Sequence, residues 1–211
     1  MSTTSDPRTL VLHGLRLKGF ADAAAIAEAA GVDEADAKPQ LDGLVVEELA
    51  TYREGRISGF ALTPTGRAEH ARLVEAELEA SGQREPIRAA YQRFLGINQD
   101  LLGICTAWQL REVDGESVIN DHTDPAHDAE VIGQLADLHA KVSPICDDLA
   151  VALQRFAAYG PRLADALAKV QAGDTDWFTK PMIASYHTVW FELHEDLLAT
   201  LGIERSSEGS I

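Results

Sequence analysis

The run Tyr186-His187-Thr188-Val189-Trp190-Phe191-Glu192-Leu193-His194-Glu195 sets His187, Trp190, Phe191 and His194 three and four residues apart, which puts them on one stripe of a helix. Aromatic faces beside switchable imidazoles suit a pocket for a flat organic ligand, and an aromatic core stripe with two hydrogen-bonded histidines would read the same way. The stretch Asn120-Asp121-His122-Thr123-Asp124-Pro125-Ala126-His127-Asp128 gathers further titratable groups. There Asp121 or His122 suits a proton acceptor, and a loop ending in a helix cap would also account for the residues. Asn98 and His139 occupy inner positions of apolar helical patterns, where a polar group is costly unless it is hydrogen-bonded.

Other chemistries find no support. His122, His127, His187 and His194 fit no metal-ligand spacing, and His194-Glu195 is followed at Leu198 by no second histidine, so no metal is expected. Cys105 and Cys146 fall inside helical apolar patterns and read as buried reduced thiols. No phosphate-binding glycine loop, nucleophile elbow or Cys-His pair is present, which argues against independent catalysis.

These residues must be positioned by helices. The 211 residues allow one or two domains, and apolar spacing changes character near Ser81-Gly82. We divide the chain there, into residues 1–80 and 81–211. In the first part, Leu10 to Leu15 suits a helix stopping at Gly19, Ala21 to Ala30 a second ending at Gly31, and Asp33 a cap for a third carrying Leu41, Leu44 and Val45. Leu49–Arg53 and Arg56–Leu62 read as strands around Glu54-Gly55, and Thr63 caps a fourth helix. That order is a winged helix-turn-helix. The second part reads as an all-α bundle without strands after Leu62. Its helices run from about Glu85 to Glu112, from Val131 to Phe156 with a break expected at Pro144, from Gly160-Pro161 to Gly173, and from Asp176 or Thr179 to Leu201. The tail from Arg205 reads as disordered.

The segment Leu62-Thr63-Pro64-Thr65-Gly66-Arg67 resembles the strand-to-helix junction that closes the wing in MarR-like regulators. That resemblance implies a DNA-binding dimer, with Lys38, Gln40, Arg53 and Arg56 as candidate contacts and Arg67 beside them. The charge opposes it. There are 34 acidic residues against 18 basic, a net −16, and the start of the third helix holds Asp33, Glu34, Asp36 and Asp42 around Lys38. A winged helix used for protein docking is the other reading. No apolar run is long enough to cross a bilayer and the start lacks a secretory pattern, so a cytoplasmic location is expected.

Leu15-Arg16-Leu17-Lys18-Gly19, Ile57-Ser58-Gly59-Phe60, Asn120-Asp121-His122-Thr123-Asp124 and the 186–195 run together resemble the accessory region of actinobacterial enzymes of the phosphoenolpyruvate synthase and pyruvate phosphate dikinase group. The resemblance implies a phosphotransfer system in which a larger partner subunit carries the ATP-grasp and phosphohistidine domains, together with ATP and Mg²⁺. This chain would bind the acceptor, a small aromatic or phenolic hydroxyl compound, and no cofactor of its own. Under that reading His187, His122 or Asp121 is the base. Tyr186, Trp190, His194, Trp108 and Asn98 contact the acceptor, and Arg111 and Lys180 supply positive charge.

Overall fold

The computed structural model describes residues 5–113 and 115–208. Asp6 opens α1 (Pro7–Lys18) by accepting from the backbone of Arg8 and Thr9, and Gly19, at φ 72°, closes it. The two-residue strand β1 (Phe20–Ala21) precedes α2 (Ala23–Ala30), which Asp22 caps and a left-handed Gly31 ends. Asp33 stands at the cap position before α3 (Glu34–Val46), but its side chain makes no capping hydrogen bond.

β2 (Ala50–Arg53) and β3 (Gly59–Leu62) pair antiparallel in the register Ala50↔Leu62 to Arg53↔Gly59. The turn between them is longer than expected from Glu54-Gly55 alone: Ser58 closes it by bonding the Gly55 backbone through its hydroxyl. β1 adds to the other side of β3, giving the order β1-β3-β2.

Thr63 starts α4 (Pro64–Ser81) by accepting from Gly66 N–H, while its own hydroxyl donates to the carbonyls of Glu48 and Leu49. This junction leaves no room for a side chain at Gly66, where a Cβ would stand 1.9 Å from the Leu49 carbonyl oxygen. Backbone cannot swing aside as a side-chain tip can. Gly66→Ala is therefore expected to cost about 3 kcal/mol, the upper end of overpacking effects, read as a fall in the urea midpoint; an unchanged midpoint would show that the junction yields.

The second half contains α5 (Arg84–Gln109), α6 (Pro125–Ala152), a 3₁₀ helix (Gln154–Ala158), α7 (Tyr159–Gln171), the single turn α8 (Asp176–Thr179) and α9 (Tyr186–Leu201). It is not all-α. Where a continuous helix was expected to Glu112, α5 stops at Gln109 and the chain forms an antiparallel pair, β4 (Leu110–Val113) and β5 (Glu116–Ile119). The sequence signal was Asp114-Gly115, a hairpin dipeptide after Val113 and before Val118-Ile119, with Gly115 at φ 83°.

Two further expectations change. α6 runs on through Pro144, and α9 starts after its cap at Ser185 rather than at Asp176 or Thr179. Arg205–Glu208 forms a 3₁₀ turn tied to Glu195 through Arg205; the rest of the expected disordered tail lies outside the described residues.

The described residues form two apolar cores. One joins α1–α3 and the sheet through Leu12, Leu15, Ile26, Leu41, Leu44 and Phe60; the other fills the helices from α5 to α9. The change of core falls within α4, whose Leu73 packs on the first and whose Leu78 belongs to the second. No described helix is long and apolar enough to cross a membrane.

Candidate functional site

Of the expected α9 stripe, Trp190 and His194 face inward, whereas Phe191 is 46% exposed with Arg205 over its ring. Trp190 is 2% exposed and donates its indole N–H to Asn98 Oδ1 at 2.9 Å, with Phe94 against its ring at 4.7 Å between centroids. His194 packs on Phe94, and Tyr186, fully buried, meets His139 Nδ1 at 3.3 Å. Burial raises the Tyr186 hydroxyl well above its ordinary value and lowers His139. Tyr186, Trp190, His194 and Asn98 thus form a satisfied polar layer in the bundle core, with Trp190 offering a ligand almost no surface. His187, on the same helix, is half-buried and held toward its neutral form by desolvation.

A different set of residues surrounds a cleft at β4, β5 and the start of α6, where His122, Leu110 and Ile119 reach solvent and Trp108 and Phe178 form a buried floor. Trp108, at the end of α5, stacks on Phe178 of α8 with centroids 4.4 Å apart and planes 7° from parallel. His122 lies on the Trp108 ring at 4.5 Å, and its backbone sits at φ 57°, a left-handed conformation that costs a non-glycine residue free energy. Its Nδ1 is 3.1 Å from both oxygens of Asp128.

The neighbouring amide fixes the direction of that bond. Asn120 Nδ2 has two hydrogens, and Trp108 O at 3.1 Å and Asp128 Oδ1 at 2.9 Å accept them. Nδ1 of His122 is then left to donate to Asp128, and its Nε2 carries the lone pair. With 41% of its side chain exposed, His122 can reach a ligand. It opens on a cleft of about 390 Å³ lined also by Trp108, Leu110, Ile119, Asn120 and Thr179. Leu110 and Ile119 are register partners, and Ile119 is 80% exposed, so the hairpin adds an apolar wall.

Comparison with protein families, with characterised proteins and with solved structures finds no match. What the site can do therefore rests on its geometry.

Of the sequence candidates, His122 and Trp108 meet in this cleft; His187 and the α9 stripe do not line it. Asp121 does not line it, and its Oδ1 accepts from the Thr123 hydroxyl and backbone and from Arg111 Nη2 at 3.0 Å. Those bonds, the Thr123 hydroxyl first, hold its carboxyl below the ordinary range and make it a weaker base. Asp128 and Phe178 were not singled out from the sequence. Asp128 could have been, because a carboxylate six residues after a histidine across a helix start can fold back on it.

Positive charge is scarce here. Arg111 is held by Asp121 and Lys180 by Asp176. The N-terminus of α6 is closed as well, since Asp124 accepts from Ala126 and His127. Among the described residues no group of three or more His, Cys, Asp or Glu is arranged to hold a metal ion.

The candidate DNA contacts are mostly engaged within the chain. Lys38 is bonded to Asp42 within α3, Arg53 lies over the Phe20 ring at 5.6 Å, Gln40 is half-buried, and Arg56 is exposed in the turn.

Proposed function

We propose that this chain is the acceptor-binding subunit of a phosphotransferase of the phosphoenolpyruvate synthase and dikinase type. It presents an aromatic hydroxyl to the phosphohistidine of a larger partner subunit. The observation that carries the reading is the His122–Asp128 pair opening, through a lone pair on Nε2, onto a cleft with an apolar wall of Leu110 and Ile119.

The chemistry follows from those parts. A phenolic ring lies against Ile119 and Leu110 with its hydroxyl toward His122. Nε2 takes the hydroxyl proton while Asp128 stabilises the resulting imidazolium. The oxygen then bonds to phosphorus as the P–N bond of the partner's phosphohistidine breaks, and the departing imidazole regains a proton from solvent. Charge on the phosphoryl oxygens must be met by the partner and the Mg²⁺ it carries with ATP, because the cations here are already paired. A non-autonomous subunit in a cytoplasmic hetero-oligomer fits that division.

The test is reconstitution. The partner subunit, charged with radiolabelled phosphate from ATP, should transfer label to a phenolic acceptor only when this chain is present. Equal transfer without it would overturn the reading.

In this proposal the helices α1–α4 with their three-stranded sheet form a winged helix-turn-helix that docks protein. The runner-up, a MarR-like regulator, requires α3 to enter a groove with Glu34, Asp36 and Asp42 exposed on it. Phosphate neutralisation cannot come from such a helix. We expect no discrete footprint on promoter DNA at about 150 mM salt, where screening removes residual attraction; a protected operator under those conditions would establish the regulator instead.

A further inference from the structure

The two apolar cores do not merge, and what joins them is a buried polar cluster. His13 of α1 and His70 of α4, both 3% exposed, bring Nδ1 and Nε2 within 2.9 Å of each other. On its other side His13 Nε2 stands 2.9 Å from Asp196 of α9, which also accepts from the Tyr159 hydroxyl at 3.0 Å. Arg155 of the 3₁₀ helix pairs with Glu77 of α4 and donates to Thr200, with its Nε 3.5 Å from Asp196. Arg16 of α1, bonded to Glu195, adds a second cation to the field around His70, and Lys18 of α1 together with Arg162 of α7 pairs with Glu192 of α9. A cleft of about 270 Å³, lined by Glu28 and Gly31 on one side and by Ala158 and Arg162 on the other, runs between the halves beside this cluster.

We propose that this junction is a proton-operated latch: a second proton on the His13–His70 pair releases α1 and α4 from α9 while both cores stay folded.

The geometry sets the condition. A 2.9 Å gap between two ring nitrogens holds one hydrogen. With both rings doubly protonated, two N–H groups would point at each other beside Arg16 and Arg155, with Asp196 as the nearest compensating carboxylate. Separation lets water solvate both imidazoliums and leaves each apolar core closed. Burial first, and the charges of His13, Arg16 and Arg155 next, push His70 down to about 3 while the halves are docked. An undocked histidine titrates near 6.5, so the open-to-closed ratio rises by up to about tenfold for each pH unit below that.

Single-molecule energy transfer on the full chain tests this. Val46 and Val151, exposed and on opposite halves, would be replaced by cysteines carrying donor and acceptor dyes. Cys105 and Cys146 are buried, with thiols pushed up to about 11 and about 12, and do not compete for label. Between pH 6.5 and 5.2 the low-transfer population should grow steeply with the far-UV helix signal unchanged. His70→Gln, which hydrogen-bonds but takes up no proton, should abolish that growth, and His70→Asn serves if the glutamine variant fails to fold at pH 7.5. A flat response in the unsubstituted chain overturns the latch by itself. So does loss of helix alongside the opening, or an equal response in the variants.

Discussion

His122→Ala is expected to lower phosphoryl transfer by the assembled complex by about 10²–10⁴-fold, the range of a general base. The loss should appear in kcat, with KM for the phenolic acceptor little changed, because Ile119 and Leu110 still form the binding wall. Stability should hardly move, since the His122 side chain is 41% exposed. Asp128→Asn should lose less than His122→Ala, for it removes the charge that stabilises the imidazolium and keeps a group of the same shape. His187→Ala is the control: it does not line the cleft, and its rate should stay within a few-fold of the unsubstituted protein. A full rate for His122→Ala, or a large loss for His187→Ala, would move the base to the other histidine.

The contrast between those two histidines shows how far the sequence reaches. Spacing of three and four placed His187, Trp190 and His194 on one stripe, and α9 carries them so. Periodicity reports which residues share a face but not whether that face meets a cavity or a core, and Asn98 closing on Trp190 from 92 residues away decides for the core. His122 was legible for the opposite reason, although its pairing with Asp128 was not read: Asn120 and Asp128 lie within a few residues, and local hydrogen bonds leave local patterns. The order of α1 to α4, the glycine stops at Gly19 and Gly31, and the Thr63 cap were readable because each depends on one or two neighbouring residues. The β4–β5 hairpin was missed although Asp114-Gly115 announced it, because the apolar run of α5 was extended past its end. The junction had no such signal. His13 and His70 are single histidines on separate helices, and only the packing of α1 and α4 on α9 brings them to Asp196.

Asp196 carries the largest expected effect on stability. It is 2% exposed and is shared by His13, Tyr159 and Thr200, with Arg155 Nε at 3.5 Å. Asp196→Ala removes the acceptor and leaves buried donors and a guanidinium facing each other, a situation that costs about 3–5 kcal/mol. For a chain of this size that is a fall in Tm of roughly 6–20 °C. Asp196→Asn keeps an acceptor oxygen and should cost less, so the difference between the two variants separates hydrogen bonding from charge. The pH dependence tells the carboxylate from the histidine. Burial would raise Asp196, but His13 and Arg155 beside it hold its carboxyl far below the ordinary value near 3.8. Its contribution is complete above that value and is lost only as pH falls below it. His70 is depressed to about 3 from near 6.5. The unfolded chain therefore binds its proton first, and stability is complete above about 6.5 and declines toward 3 by up to roughly 1.4 kcal/mol per pH unit. Denaturant midpoints taken between pH 7.5 and 4 should thus fall with a slope that Asp196→Asn largely preserves and His70→Gln reduces. The same slope in all three proteins would place the titrating group elsewhere in the fold.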